Sequence, residues 1–70
     1  MALGENIRER RIAKNMSQED LAGIVGVTRM AICNYEEGKR IPALYDALRI
    51  AKALGTTVEK LTKPTTKKGE

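Results

Sequence analysis

Residues 17–40 read SQEDLAGIVGVTRMAICNYEEGKR, which places apolar residues at helical spacing twice, with one Gly-Val pair between the two runs. Ser17 is a favourable N-cap for the first run, and Asp20 stands at N3, where an acid can close a capping box. Gly26 ends that run, and Thr28 is a favourable N-cap for the second run. The stretch therefore predicts two short helices that meet at a tight corner.

The prediction of this corner rests on several residues besides Gly26. Counted from Gln18, the fourth, eighth, tenth, fifteenth and eighteenth positions are all apolar: Leu21, Val25, Val27, Ile32 and Tyr35. The fifth position is Ala22, which is small enough for the second helix to cross closely above it. The ninth position is Gly26, which can adopt the positive φ of a sharp turn. These seven positions in one register predict a helix-turn-helix.

The segments before and within the corner extend this pattern. A first helix is predicted from about Gly4 to Lys14, and Asn15 can end it in a left-handed conformation. The third helix should run to about Glu37, with Gly38 at C′. The residues that we expect to face inward are Leu3, Ile7, Ile12 and Met16 around helix 1, Leu21, Ala22, Ile24 and Val25 on helix 2, and Ile32 and Tyr35 on helix 3.

Two further helices follow the corner. Pro42 suits the first turn of a fourth helix, which Gly55 should end. Its predicted core stripe is Leu44, Ala47, Leu48, Ala51 and Leu54. Thr57 or Thr56 caps a short fifth helix, which Val58 and Leu61 anchor to the core. The sequence contains no strand signal, so the predicted fold is an all-α bundle of five helices.

Composition limits the classes of function. The chain has 70 residues, which allow one domain, assigned here to residues 1–61 and followed by a flexible basic tail at 62–70. The net charge of +4 permits a polyanionic partner without proving one. One cysteine and no histidine exclude an internal disulfide and leave no plausible zinc site. We therefore expect no metal, no cofactor and no enzymatic activity, because little is available to build a catalytic site.

The chain also lacks the features of a membrane protein. Its longest apolar run, residues 22–27, is too short to span a bilayer. No signal peptide precedes the first helix, whose apolar face is needed inside the fold, and Glu5 and Glu9 dilute the charge of Arg8, Arg10 and Arg11. We expect a cytoplasmic protein with neither a membrane partner nor a small-molecule ligand.

With these residues in place, the chain resembles the Cro/repressor-type helix-turn-helix family of phage and bacterial regulators. The resemblance covers about residues 7–61 and rests on SQEDLAGIVGVTRMAICNYEEGKRIP followed by LRIAKALGTTVEKL. It implies a compact five-helix, lambda-repressor-like domain in which helices 2 and 3 form the corner. Arg10 departs from the apolar residue of many members, and Asn15 replaces a frequent glycine.

In this family the third helix lies in the DNA major groove. The positions that match its base-reading residues are Arg29, Met30 and Asn34, with Thr28, Cys33 and Glu37 beside them. Helical spacing places these residues on a face turned away from Ile32 and Tyr35. An arginine can bind guanine through two hydrogen bonds, an asparagine can bind adenine in the same manner, and a methionine can cover a thymine methyl.

The resemblance also implies contacts with the DNA backbone. Gln18 opens helix 2, where backbone N–H groups and the positive end of the helix dipole can meet a phosphate. The remaining candidates for phosphate contacts are Ser17, Lys39, Arg40 and Arg11. Arg11 and Glu36 also match a pair that ties helix 1 to helix 3 in several members, and we interpret them as scaffold together with Ala22 and Gly26.

The favoured function is sequence-specific binding of double-stranded DNA by a transcriptional regulator, a repressor in this interpretation. The expected form is a homodimer on a two-fold operator, joined through the helix 5 region around Val58 and Leu61. The alternative is an antitoxin or adaptor that keeps the fold but binds a protein, since fold does not fix function. That alternative is slightly favoured by Met30, Cys33 and Glu37. It is disfavoured by Arg29 and Asn34.

Overall fold

The computed structural model describes residues 2–63, and this part of the chain contains five α-helices and no strand. The helices are α1 (Leu3–Ala13), α2 (Gln18–Val25), α3 (Arg29–Glu36), α4 (Leu44–Ala53) and α5 (Val58–Leu61). The predicted all-α, five-helix bundle is therefore confirmed. The predicted end of the tail, residues 64–70, lies outside the described residues.

The corner has the local structure that its residues predict. The Ser17 hydroxyl accepts a hydrogen bond from the Asp20 backbone N–H at 2.9 Å, and Asp20 Oδ2 accepts one from the Ser17 backbone N–H at 3.0 Å. Gly26 has φ +88°, so the chain turns sharply there without Cβ strain. Thr28 caps α3 by accepting from the Ala31 N–H at 3.1 Å. Both caps and the left-handed turn are confirmed.

One aliphatic core joins all five helices. Ile7, Leu21, Ile32, Ile50 and Leu61 are fully buried. Around them the core is completed by Leu3, Ala22, Val25, Tyr35, Ala51 and Leu54. Helix α3 packs on both α1 and α2, while α4 closes the core behind α2. The core thus fixes α3 from one side and leaves its opposite side free.

Four apolar residues that were predicted to face inward are exposed instead. Leu44 and Leu48 are 68% and 48% exposed, and Ile12 and Ile24 are 52% and 59% exposed. On α4 the predicted core stripe is confirmed at Ala47, Ala51 and Leu54 and wrong at Leu44 and Leu48, and the fourth buried residue is Ile50, which was not predicted. Leu44 and Leu48 lie on the exposed side of α4 and Leu54 lies on the buried side, so helical spacing of apolar residues fits either side. Only the packing of α4 against α2 selects the side that is buried.

Smaller differences concern the boundaries of the elements. Helix α4 begins at Leu44 after the N-cap Ala43, so the buried Pro42 precedes the helix and does not lie in its first turn. Asn15 has φ +59°, as its proposed left-handed role requires. Thr57 caps α5 by accepting from the Lys60 N–H at 3.2 Å.

Gly4 allows α1 to approach the end of α3 very closely. A Cβ at Gly4 would collide with the carbonyl oxygen of Tyr35 and lie 2.6 Å from that of Glu36. Both are backbone atoms and cannot rotate away. The two helices can therefore take this separation only because residue 4 has no side chain, and no sequence pattern indicated this contact.

Asn6 joins the two ends of the fold. Its Nδ2 donates to the carbonyl of Leu61 at 2.5 Å and to that of Lys63 at 2.6 Å. The hydroxyl of Thr62 donates to the Glu59 carbonyl at 2.9 Å. Thr62 and Lys63, assigned from sequence to the tail, are thus hydrogen-bonded to the bundle.

Candidate nucleic-acid interface

The outward face of α3 carries the residues that were predicted to read bases. Arg29 and Met30 are exposed at the start of the helix, while Cys33 and Asn34 are half-buried one turn later. Thr28 precedes the helix, Glu37 follows it, and both are exposed. The structure therefore brings all six residues to one surface around α3. Their reading of DNA bases stays a prediction.

A chain of polar side chains connects this face to α1. Arg11 donates from Nε to Glu36 Oε2 at 2.7 Å and from Nη2 to Glu36 Oε1 at 3.2 Å. Glu36 Oε1 also accepts from Gln18 Nε2 at 3.0 Å, and Gln18 Oε1 accepts from Arg29 Nη1 at 3.3 Å. The exposed Arg29 side chain is thereby linked through Gln18 to the Arg11–Glu36 pair, which is almost fully buried.

The Gln18 amide has a single sensible orientation in this chain. A carboxylate only accepts and a guanidinium only donates, so Nε2 must face Glu36 and Oε1 must face Arg29. Both ends of the side chain are thus engaged within the protein. The predicted phosphate contact of Gln18 would then fall to its backbone N–H at the start of α2, where unpaired N–H groups and the helix dipole favour an anion.

Ser17 is similarly engaged. Its hydroxyl caps α2, and its backbone N–H donates to Asp20 Oδ2. Because the side chain already serves the capping box, a phosphate contact would compete with that box. The Asp20 carboxylate also lies at this helix end, which adds negative charge beside the predicted phosphate.

Arg11 makes one further contact within the fold besides its pair with Glu36. In addition to its pair with Glu36, its Nη1 donates to the Met16 carbonyl at 2.7 Å. This bond holds the connection between α1 and α2. The scaffold role predicted for Arg11 and Glu36 agrees with this geometry, and three of the five N–H donors of the guanidinium serve it.

Helix α3 ends in a charged cluster. Glu37 accepts a hydrogen bond from the Cys33 thiol at 3.3 Å and forms an ion pair with Lys39 Nζ at 3.1 Å. The hydrogen bond to Glu37 raises the pKa of the Cys33 thiol above its ordinary value, and loss of hydration and the carboxylate charge add to this effect. The hydrogen bond from Lys39 in turn lowers the pKa of Glu37. Cys33 is therefore protonated and less reactive than an ordinary exposed thiol.

The loop after α3 presents its two cations beside the same face. Gly38 takes φ +78°, and the backbone N–H groups of Lys39 and Arg40 donate to the Asn34 carbonyl at 2.9 and 3.3 Å. Both side chains are exposed. The loop is thus fixed at its base and positions two positive charges next to α3, where the sequence predicted phosphate contacts.

Arg8 belongs to the same surface, although the sequence analysis did not select it. Together with four residues already discussed it lines a polar recess of about 340 Å³ between α1, α2 and α3; the others are Arg11, Gln18, Glu36 and Glu37. Arg8 lies three residues before Arg11 and so on the same side of α1. The spacing of Arg8 and Arg11 could have indicated this from the sequence. Arg8 adds a positive charge beside the candidate interface.

Other kinds of site receive no support from the described residues. Across residues 2–63, no group of three or more His, Cys, Asp or Glu side chains is placed to hold a metal ion. None of the five helices there has the length and apolar character needed to cross a bilayer.

The fold, the corner and the exposed third helix together define a helix-turn-helix protein. The helix-turn-helix family profile matches residues 7–61, and the chain belongs to this family. An uncharacterized HTH-type transcriptional regulator from Methanothermobacter thermautotrophicus is 51% identical over 49 residues, which are 70% of this chain and 71% of that protein. The control protein C.SmaI from Serratia marcescens is 44% identical over 59 residues, or 84% of this chain and 70% of that protein.

Solved structures agree with this assignment. The crystal structure of the P22 c2 repressor in complex with a synthetic operator superposes with a TM-score of 0.86 and 33% identity, covering 90% of this chain and 96% of that one. The family suggested by the sequence is confirmed. The chain therefore has the DNA-binding fold of a helix-turn-helix transcriptional regulator.

Proposed function

We propose that this protein binds double-stranded DNA sequence-specifically, as a dimer, with α3 in the major groove, and represses transcription where it binds. The observation that carries the proposal is the outward face of α3, where Arg29 is hydrogen-bonded to Gln18 and Asn34 follows five residues later. An ordered guanidinium loses less freedom on binding than a free one, so Arg29 is prepared for a two-bond contact with guanine.

The charges around α3 support the same proposal. The exposed Arg8 lies on one side of the helix, and the exposed Lys39 and Arg40 follow its end. Phosphates on both sides of a major groove can meet these cations while α3 lies between them. The P22 c2 repressor, whose fold is the same over nearly the whole chain, is a repressor crystallised with an operator.

Repression follows from coverage of the DNA. A two-fold dimer places its two recognition helices about one helical turn, or about 34 Å, apart on one face of the duplex. A protein bound in this way excludes other proteins from the same segment. A cytoplasmic location is part of the proposal, because such a regulator has to share a compartment with the chromosome.

The experiment is a selection of bound duplexes from a random pool, followed by titration of one selected operator. We expect Arg29→Ala and Asn34→Ala each to weaken binding of that operator about 5- to 150-fold, corresponding to about 1–3 kcal/mol. Lys52→Ala is the matched control, because it removes one positive charge from the exposed side of α4, away from α3.

Two outcomes would contradict the proposal. Selection that yields no common sequence would leave only non-specific binding. Variants at Arg29 and Asn34 that bind the operator as tightly as Lys52→Ala would show that this face does not read bases. A protein partner captured without any DNA affinity would instead favour the antitoxin or adaptor alternative.

A further inference from the structure

Helices α2 and α4 form a groove on the surface of the bundle, and none of the candidate DNA-contact residues lines it. The groove has a volume of about 350 Å³. Ile24 and Val25 of α2 line one side of it, and Arg49, Lys52 and Ala53 of α4 line the other. The groove therefore lies outside the surface that the proposed function uses.

The floor of the groove is apolar. Val25 is buried in the core, and Ala53 is partly buried against it. Ile24, which the sequence predicted to face inward, is 59% exposed beside them. A single exposed isoleucine is common on a protein surface and needs no partner. Here, however, it lines a groove together with two other apolar residues, so a partner that fills the groove would cover a connected apolar surface.

Two cations stand beside this apolar floor. Arg49 and Lys52 are three residues apart, which places them on the same side of α4, and both are exposed. Arg49 Nη1 donates to the Val25 carbonyl at 3.4 Å, so the guanidinium is directed towards the groove while its other N–H groups remain available. Within residues 2–63, neither cation forms an ion pair with a carboxylate. Both positive charges are therefore free to pair with a partner.

We propose that this groove docks a short acidic segment of another protein, in which a large apolar side chain stands beside carboxylates. The apolar side chain lies on Ile24 and Ala53, and the carboxylates pair with Arg49 and Lys52. Burial of the exposed apolar surface supplies affinity. The two unpaired cations select an acidic partner by charge complementarity and speed its encounter. This role goes beyond DNA binding and does not depend on it.

Nucleic acid and small molecules fit the groove less well. A DNA phosphate would pair with Arg49 and Lys52 but would leave the apolar floor uncovered. A small-molecule site buries about 70–90% of the surface of its ligand. This groove is open to solvent, since Ile24 on its floor is more than half exposed. A peptide segment uses both the floor and the charges without having to be enclosed.

A second copy of this chain is also a poor occupant. A two-fold contact brings the same surface together twice, so Arg49 and Lys52 of one copy would approach the same cations of the other. The chain is itself basic, with a net charge of +4. The sequence analysis placed the dimer contact on α5 instead; there Leu61 is fully buried and Val58 is partly buried against the core, so the predicted contact through Leu61 is wrong.

The test is a selection from a random library of short peptides displayed on phage, with the full chain as the target. We expect the enriched peptides to share acidic residues beside a leucine, isoleucine or phenylalanine. A synthetic peptide of an enriched sequence, labelled with fluorescein, is then titrated with the protein and followed by anisotropy. Ile24→Gln should weaken its binding at least about fivefold, because apolar contact is lost. Lys52→Glu should weaken it at least about tenfold at low salt and less as the salt concentration rises.

Ile12→Gln and Lys60→Glu are the matched controls. Ile12 is 52% exposed on α1, and Lys60 is an exposed cation on α5; neither lines the groove. Both variants should bind the peptide like the wild type. Thermal unfolding by circular dichroism verifies that all four variants are folded.

Several outcomes would overturn the inference. The first is a selection that enriches no peptide, or only peptides without carboxylates. The second is equal peptide affinity of Ile24→Gln and Ile12→Gln, or of Lys52→Glu and Lys60→Glu. Self-association of the chain that Ile24→Gln abolishes would assign the groove to a second copy, and a loss of DNA affinity in Lys52→Glu alone would assign it to DNA. A wild type that binds the peptide but no DNA would instead contradict the proposed function and leave this docking site intact.

Discussion

Arg11 and Glu36 join the first helix to the third through two hydrogen bonds, from Nε at 2.7 Å and from Nη2 at 3.2 Å. Their side chains are only 11% and 3% exposed. Because Glu36 also accepts from Gln18, and Gln18 accepts from Arg29, the buried pair fixes the position of an exposed side chain on the candidate DNA face. The Glu36 carboxylate thus links the stability of the fold to the position of a side chain on the candidate DNA face.

Glu36→Gln should destabilise the fold. The substitution keeps the shape but leaves the buried guanidinium of Arg11 without its counter-charge, and loss of one partner of a buried pair costs up to about 3–5 kcal/mol. Part of the charge reaches water through the recess, so we expect a loss of about 1–3 kcal/mol in the free energy of unfolding. Urea denaturation measures it. Glu37→Gln is the control on the same helix end, and an equal loss there would contradict the buried role of Glu36.

Gly4→Ala should be strongly unfavourable, whereas Gly23→Ala should be favourable. A methyl group at Gly4 meets the backbone carbonyls of Tyr35 and Glu36, so α1 must move away, at a cost of about 1–3 kcal/mol. A methyl group at Gly23 meets nothing within 4 Å inside α2 and should add about 0.5–1 kcal/mol. Thermal melting compares the two. Similar effects of both substitutions would show that the close approach of α1 and α3 is absent in solution.

Gln18→Ala separates two roles of one side chain. If Gln18 positions Arg29, the variant should lose discrimination between the operator and a duplex altered at the base that Arg29 reads, while the slope of log K against log salt concentration stays unchanged. If the side chain instead contributes a phosphate contact, affinity falls for every duplex alike. Fluorescence anisotropy at several salt concentrations distinguishes these results. An equal loss of affinity for every duplex would contradict the role of Gln18 in positioning Arg29.

Lys39→Ala should weaken binding to all duplexes and reduce the salt slope by about one. Lys39 is 70% exposed, and its pairing with Glu37 Oε1 at 3.1 Å is open to solvent and easily exchanged for a phosphate. The same titrations measure the slope. An unchanged slope with intact folding would mean that this lysine only neutralises Glu37.

Cys33 should be alkylated slowly at neutral pH and faster as the pH rises. Its pKa is raised by the hydrogen bond to Glu37, so less of the reactive thiolate is present at a given pH than for an ordinary thiol. Glu37→Gln removes the carboxylate and should shift the rate profile to lower pH. The profile of iodoacetamide labelling measures this shift. An unshifted profile would show that the contact between Cys33 and Glu37 is not formed in solution.

Much of the fold and of the candidate site could be predicted because it depends on local rules. The capping box at Ser17, the positive φ of Gly26 and the cap at Thr28 each involve residues within one helical turn. The inward positions Ile32 and Tyr35 fixed which side of α3 points out, and with it the residues available for DNA. The placement of the side chains on that face therefore follows from periodicity.

The rest depends on which elements meet in space. Sequence spacing placed Ala47, Ala51 and Leu54 of α4 in the core, but only the packing of α4 against α2 left Leu44 and Leu48 outside. The approach of α1 to α3 at Gly4 and the engagement of both ends of Gln18 join residues far apart in the chain. The sequence by itself determined the five helices, the corner and its outward face, because those follow from bonds and periods within a helix. The tertiary structure alone decided how the outward face of α3 is held and which apolar side chains stay exposed, because burial is shared between helices that the sequence does not place side by side.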